Sequence, residues 1–533
     1  MATASVNPET TGSAFAPLKQ RVFAVLWVAT IVGNTGSFVR DVASAWLVTD
    51  LSAAPAAVAI MQAASTLPIF LLAIPAGVLS DILDRRRFLI VIQLILAVSS
   101  LCLLALSASG LQSITSLIAL TFVGGVGAAL MGPTWQAIVP ELVDRRDVKS
   151  AIGLNSLGIN ISRAIGPAVG GALLAYFGAA ITYGVDVISY AFVLLALLWW
   201  RRPVSAEDDL TERFSGAFRA GLRYARASRE LHIVLARAGI FFAFASSIWA
   251  LLPLVARNLL NGSAGFYGIL LGAVGVGAIC GALFMPWLRS RFHAGADDVM
   301  LGAAVVTAAV MIALAFSPPQ WVAILILLVL GAAWIAALTT LNGAAQAILP
   351  NWVRGRALAV YLTVFNGAMT VGSLVWGATA QAFGIPSTLV IGGLGLAISA
   401  IILHRLKIPA GEEDLLPSGH WPEPLTAAPL ENDRGPVLIL IEYRIDPAER
   451  DAFVRAVTAF SRERQRDGAF NWGITQEVSD ESIMVEWFMV ESWAEHLRQH
   501  KRVSRTDADL QQQVVSFHQG SDPPVVRHFI APP

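Results

Sequence analysis

Five ionisable residues lie inside stretches that are otherwise apolar: Arg40, Asp41, Arg163, Asp186 and Arg237. A charged side chain is expensive in hydrocarbon, so it tends to face a cavity or an opposite charge. One chemistry suits such groups: reversible proton uptake by a carboxylate. Asp41 is the first candidate for a proton-exchanging group. Its proton affinity is set by desolvation against the field of Arg40 or Arg163, and opening a cavity changes that balance. Asp186 is the alternative. For either acid the competing reading is a static salt bridge that fixes helix packing. Arg237 lies close enough to the end of its stretch to snorkel.

Among uncharged groups, Asn34, Gln62, Asn160, Asn342 and Asn366 offer amides, while Trp135 and Trp249 offer flat apolar faces. Tryptophan at the end of an apolar segment also serves as an interface anchor. The set suits an amphipathic organic molecule better than a sugar, which calls for more charged and amide donors. Near the C-terminus, His496 and His500 are four apart and share a helix face. That spacing can hold a metal, but two ligands are not a site. No third ligand can be picked out, so solvated surface histidines are expected, with no metal site and no cofactor.

The elements that must position these residues are repeated. Gln136-Ala-Ile-Val-Pro140 is followed by Ala151, Asn160, Gly166, Gly171 and Gly178, and Gln346-Ala-Ile-Leu-Pro350 by Ala357, Asn366, Gly372, Gly377 and Gly384. From Ala151 to Gly178 the offset is 206 residues throughout. Asn160 and Asn366 are thus equivalent, as helix–helix hydrogen bonds or as cavity donors. Apolar segments of spanning length fall at about 22–48, 54–78, 88–109, 113–134, 150–176 and 180–200, then 231–256, 264–287, 296–316, 320–341, 355–381 and 385–404. Each approaches the ~20 residues that cross a bilayer as a helix. Duplicated halves around a central site are how secondary transporters are built.

Composition agrees. The chain has 533 residues, 56% hydrophobic and only 14% charged, against about 25% charged in soluble domains. Its 37 basic and 37 acidic residues cancel, so nothing points to nucleic acid. Cys102 and Cys280 imply no disulfide framework. The first 20 residues are too polar for a signal peptide, so the first span should direct insertion. Lys19, Arg21, Arg85, Arg86, Arg87, Arg145, Arg146, Lys149, Arg201, Arg202, Arg289, Arg291, Arg354, Arg356, Arg405 and Lys407 fall on one side of the alternating spans, and essentially Arg257 alone on the other. The basic side should be cytoplasmic, with both termini there.

Gly77-Val-Leu79-Ser-Asp81-Ile-Leu-Asp84-Arg85-Arg86-Arg87 follows the second span, and Gly281, Leu283, Arg289 and Arg291 keep its spacing in the second half, with Met285 in place of the Asp. The fifth span carries Gly153, Ser162, Gly166-Pro167 and Gly170-Gly171. Small residues let helices approach closely in lipid, and Pro167 removes a backbone donor. These motifs resemble the major facilitator superfamily, in particular its drug and siderophore exporter branch. The resemblance implies that the first motif latches the ends of the two halves, through Gly77, Asp81, Arg85, Arg86, Gly281 and Arg289. It also makes the second an exporter's antiporter motif, with Ser162 where the family has Gly. Asp84 stands where a second Gly is usual. The fourth span, Ile118 through Met131, has no Arg. Many proton-coupled members have one there, so proton coupling does not follow from that motif.

Residues 406–435 read as a linker, and beyond them the periodicity changes. Val437–Tyr443, Asn471–Glu477, Ser482–Val490 and Val525–Ile530 read as strands, and Pro447–Gln465 and Glu491–Lys501 as helices, in β-α-β-β-α-β order. This segment resembles the antibiotic-biosynthesis-monooxygenase type of dimeric domain, through Phe470–Trp472 and the run Trp487 to Trp493 with His496 and His500. Pairing as in that family would make the chain a dimer, and oligomerisation or ligand sensing is expected rather than catalysis. The whole therefore reads as an all-α membrane bundle of twelve helices in two six-helix halves (1–200 and 230–405), a middle loop at 201–229, and a small α+β ferredoxin-like cytoplasmic domain at 436–533. A secondary transporter of the bacterial inner membrane follows, embedded in lipid. It would export a small amphipathic compound by alternating access, with proton antiport as a family-level expectation. The alternatives are an importer of the same fold, or a membrane-tethered sensor or monooxygenase.

Overall fold

The computed structural model describes residues 15–52, 54–201, 214–350, 353–409, 431 and 434–531, and within these leaves undescribed the side chains of 81, 82, 145, 214–220, 501, 502 and 505–507. Contacts divide the chain into two compact units. One comprises Met1–Asp209, Leu235–Asn342 and Tyr361–Lys407; the other comprises Leu210–Val234, Gly343–Val360 and Ile408–Pro533.

The first unit is helical. It is built from α1 (Arg21–Leu51), α2 (Pro55–Ile82), α3 (Arg85–Ala108), α4 (Ile114–Ile138) and α5 (Val148–Trp199). After α6 (Phe214–Ala227), which belongs to the second unit, come α7 (Arg229–Leu254), α8 (Ala264–Phe292), α9 (Ala296–Ala315), α10 (Gln320–Ala347), α11 (Arg354–Phe383) and α12 (Ile385–Leu403). Among the described residues, eleven helices are long and apolar enough to cross a membrane. Their apolar residues surround the axis rather than form one stripe, as expected where lipid replaces water. The stretch expected as the fifth and sixth spans is α5, 52 residues long, whose backbone leaves the helical region at Gly178 (φ 78°, ψ 176°). A side chain there would meet nothing within 4 Å, so glycine is required by conformation rather than by space.

The repeat read from the sequence is present in the backbone. Gly384, the counterpart of Gly178, has φ 83° and ψ 162°. Thr182 donates to the carbonyl of Gly178 at 2.8 Å, and Thr388 to that of Gly384 at 2.8 Å. The Asn pair behaves alike. Asn160 donates to the Ser156 carbonyl at 3.0 Å and Asn366 to the Leu362 carbonyl at 2.9 Å. Both amides therefore bond within their own helix, one turn back.

The second unit holds a four-stranded antiparallel sheet ordered β2-β3-β1-β4, from β1 (Val437–Arg444), β2 (Phe470–Gln476), β3 (Ile483–Val490) and β4 (Val525–Ile530). Helices α13 (Arg450–Arg466), α14 (Trp493–Arg502) and α15 (Arg505–Val515) complete it. The alternation of β1 buries Val437, Ile439, Ile441 and Tyr443 against Phe453, Val457 and Phe460 of α13. This unit reaches beyond residues 436–533. Arg223 on α6 pairs with Glu491 at 2.6 Å and Glu495 at 3.2 Å, Arg466 lies over the Tyr224 ring at 5.8 Å, and the Tyr224 hydroxyl donates to the Ile348 carbonyl at 3.1 Å. The expected middle loop is thus partly a helix docked by charge and by one aromatic ring.

Candidate transport site

Three of the five intramembrane ionisable residues meet. Arg40 is buried on α1 and donates to the Tyr190 hydroxyl at 2.9 Å and to one Asp41 carboxylate oxygen through two nitrogens, at 3.2 and 2.9 Å. Its guanidinium also lies 3.8 Å from the Asp186 carboxylate. The acids differ in access: the Asp41 side chain is 53% exposed and that of Asp186 0%. Asp186 accepts from Ser100 at 2.5 Å on one oxygen, while its other oxygen has no hydrogen-bond partner. Gly36 permits this approach, because a side chain there would run into Ser189 and Asp186.

Tyr190 also shares a hydrogen bond with Ser37 at 3.0 Å, and both line a cavity of about 110 Å³ with Asn34, Gln93, Trp135 and Asn155. The indole of Trp135 donates to Asn155 at 2.9 Å. The cavity is smaller than the ~300–1,000 Å³ typical of small-molecule sites. It is a polar recess beside the charge cluster. Tyr183, Asp186 and Tyr190 stand three and four apart on one face of α5, so their grouping was readable from spacing. Nothing in their types alone singled out the tyrosines.

The other expected residues are placed apart. Arg163 is half-buried on α5 and has no hydrogen bond or ion pair among the described residues. Arg237 does not snorkel. It is buried, pairs with Asp297 and donates to the Leu406 carbonyl at 3.0 Å, so it is a packing bridge. Trp249 packs edge-on to Trp334 at 5.0 Å, in a cluster that includes Phe241, Phe242 and Phe365. Gln62 and Asn342 are half-buried on α2 and α10, away from the residues lining the recess.

The glycine motif forms seams. Side chains at Gly166 and Gly170 would collide with Phe38 and Val39 of α1, and one at Gly171 would meet the Gly268 backbone of α8 at 2.7 Å. Gly275 of α8 sits as close to Ala164. Ser162 keeps the seam by donating to the Ile31 carbonyl at 3.0 Å, which explains why its hydroxyl is tolerated. Pro167 is buried beside it, whereas Gly153 borders open space. Between α2 and α11, Thr66 and Thr370 share a hydrogen bond at 2.7 Å. At the end of the bundle away from the basic loops, Arg257 pairs with Asp50, donates to Thr49 at 3.0 Å and lies 5.7 Å from the Trp46 ring, which stacks on Tyr267 at 6.0 Å. Arg257, the basic residue expected on the other side of the spans, is thus a clasp, a role that sequence reasoning missed.

At the basic end, Arg85 bonds Glu141 at 2.5 Å and the Ala137 carbonyl at 3.1 Å, and Arg86 donates to the carbonyls of Leu197 and Leu198, both at 2.9 Å. These are the free carbonyls of a helix C-terminus, where cations are favoured. Asp84 caps α3 by accepting from the Arg87 amide at 2.8 Å, which accounts for an acid in place of the usual Gly. Arg289 donates to Thr340 at 2.6 Å and Gly281 lies against Ala332. Gly77 borders open space, and the Asp81 side chain lies outside the described residues.

The sequence profile described as transmembrane secretion effector matches residues 12–532. The chain belongs to this family, within the major facilitator superfamily. Members similar to it include the staphyloferrin A transporter of Staphylococcus aureus, 24% identical over 386 residues (71% of this chain, 96% of that protein). The multidrug efflux pump Tap of Mycolicibacterium fortuitum is 25% identical over 404 residues (73% and 97%), and the enterobactin exporter EntS of Salmonella typhimurium 26% over 333 (61% and 78%). The fold is that of nucleoside transporter NupG (TM-score 0.61, 12% identity, 72% of this chain and 99% of that one). It also matches a bacterial homologue of the human lysosomal transporter Spinster in an inward-facing state (TM-score 0.55, 15% identity, 73% and 97%). The chain is a multi-pass membrane transporter rather than an enzyme.

In its second unit, Glu486 is fully buried and accepts from Trp472 at 3.0 Å, Arg464 at 3.4 Å and Tyr443 at 3.2 Å. Burial and the Glu486 carboxylate push the Tyr443 hydroxyl up. Trp472, a point of the resemblance named above, satisfies this acid. His496 departs from expectation: it is 2% exposed rather than solvated.

Proposed function

We propose that this chain exports a small amphipathic organic compound, a drug, siderophore or metabolite, by alternating access in exchange for protons. Counting α5 as two spans that turn at Gly178 gives twelve, in two six-helix halves. The basic end is then cytoplasmic, and both termini lie on the cytoplasmic side of the inner membrane. Two of the relatives named above, the multidrug efflux pump Tap and the enterobactin exporter EntS, support the direction. The single observation that carries the mechanism is the Arg40 guanidinium shared between a half-exposed Asp41 and a buried Asp186 beside the recess. Protonation of Asp41 removes one of the two acids that hold Arg40, and the cation then shifts towards Asp186. Tyr190, which touches both Arg40 and the recess, carries that shift to the cargo. The clasp at Arg257 and the seams of Gly171 with Gly268 and Thr66 with Thr370 favour a state closed to the outside. The sheet order and connections of the second unit fit a ferredoxin-like domain of the monooxygenase-like type, without catalytic work, through which two chains pair.

The test is transport of candidate drugs and siderophores into everted vesicles under an imposed pH gradient, then in proteoliposomes with Asp41→Asn. Uptake driven by the gradient, with the pH dependence abolished in the variant, is expected. No uptake of any compound would count against export, and unchanged coupling in Asp41→Asn against the role of Asp41.

A further inference from the structure

Three histidines of the second unit converge. His496 and His500 are one turn apart on α14, and His528 comes from β4, an edge strand of the sheet. The rings of His500 and His528 each lie 4.6 Å from that of His496, centroid to centroid, and one nitrogen from each of the three falls within 4.8 Å of the others. Both ring nitrogens of His496, and Nε2 of His528, are buried without a hydrogen-bond partner. Buried polar atoms are nearly always bonded, so an orphaned pair of imidazoles asks for an explanation. We propose that His496, His500 and His528 bind one late first-row divalent cation, with Zn²⁺ as the ion of first choice.

The donor set fits that chemistry. Three neutral imidazoles suit zinc, copper, nickel or cobalt, whereas magnesium and calcium want oxygen. Zinc–nitrogen bonds of ~2.1 Å in a tetrahedron place ligand atoms roughly 3.4 Å apart. Rotations of the three side chains that move each ring by about 1 Å reach that spacing. Three protein ligands leave a fourth position for water or an anion. The cation would join the edge strand to α14, the helix whose Glu495 holds Arg223 of α6. Trp493, with its ring 5.4 Å from His496 and 6.0 Å from His528, is a built-in reporter.

The experiment uses the full-length protein without an affinity tag, in detergent and stripped with chelator. Zn²⁺ is titrated calorimetrically, and Co²⁺ is followed by its ligand-field absorption and by Trp493 fluorescence. One ion per chain and a tetrahedral Co²⁺ spectrum are expected. Because His496 is buried and its replacement can unfold the unit, the variants are His500→Gln and His528→Gln, with circular dichroism to confirm folding. Each should weaken binding by more than about tenfold, the scale on which loss of even an outer partner acts. His518→Gln is the control: His518 already accepts from the Arg444 amide at 2.9 Å, and its loss should leave affinity unchanged. Unaltered affinity in the folded double variant, or no tetrahedral Co²⁺ spectrum, overturns the site.

Discussion

The two halves of the bundle share a backbone and differ in what they enclose. Gly178 and Gly384 turn the chain alike, and Thr182 and Thr388 close the same bond behind them. Yet where the first half has Tyr183, Asp186 and Tyr190, the same 206-residue offset gives Leu389, Gly392 and Leu396 in the second. Both leucines are buried, and Gly392 lies against Met311 and Ser247 rather than an ion pair. The second half gathers aromatic rings instead, around Trp249, Trp334 and Phe242. At these equivalent positions the second half therefore closes without charge; its buried pair, Arg237 with Asp297, lies elsewhere. A buried ion pair is weak evidence for stability, and the absence of a counterpart at the repeat-equivalent positions argues that the Arg40 cluster is there for what it does.

The sharpest way to break that comparison is to give the first half the second half's interior. Arg40→Ala alone leaves Asp186 buried without its cation, and a broken buried pair costs about 3–5 kcal/mol. The triple change Arg40→Leu, Asp186→Gly, Tyr190→Leu removes charge and partner together. Most of the lost stability should return, because an apolar replacement of a whole ion pair is often neutral. Transport should stay abolished in both proteins. Thermal unfolding in detergent and flux in proteoliposomes measure the two arms. If the triple variant is as unstable as Arg40→Ala, the cluster is structural glue and the functional argument fails.

A second comparison asks whether the repeated turns are equivalent. Gly178→Ala and Gly384→Ala each force a side chain into a backbone region that only glycine occupies comfortably, at about 1–3 kcal/mol. Neither position is crowded. The two losses in melting temperature should therefore match, and a large difference would mean that one turn is held by its surroundings rather than by its own conformation.

How much of this was legible depended on the physics behind each signal. The repeat, the long apolar helices and the four strands were readable because hydropathy and periodicity act locally. Arg40 and Asp41 were readable as anomalies, charges in apolar sequence. Arg237 looked the same, yet its partner Asp297 lies 60 residues away at the start of another helix, and no local pattern announces that pairing. Asn160 and Asn366 were correctly paired by the repeat, but the sequence could not say that each would bond to its own helix. His496 was read as solvated because its burial depends on a strand that follows it only after the rest of α14 and an entire further helix, α15.

The smallest effect bears on the end away from the basic loops. Asp50 and Arg257 join the halves there, with side chains 42% and 37% exposed. An exposed pair contributes only about 0.2–1 kcal/mol, less in high salt. Asp50→Asn should therefore shift the balance between outward-open and outward-closed states by roughly 1.4- to 5-fold, not switch it. The stacked Trp46 and Tyr267 remain to hold the contact after the charge is gone. Labelling of a cysteine placed at Ala264 by an impermeant reagent, compared with and without Asp50→Asn, reads that shift. The gain should shrink as salt rises, since ions already screen the pair. A much larger gain, still shrinking as salt rises, would mean that the ion pair, rather than the aromatic stack, is what keeps the two halves together at that end.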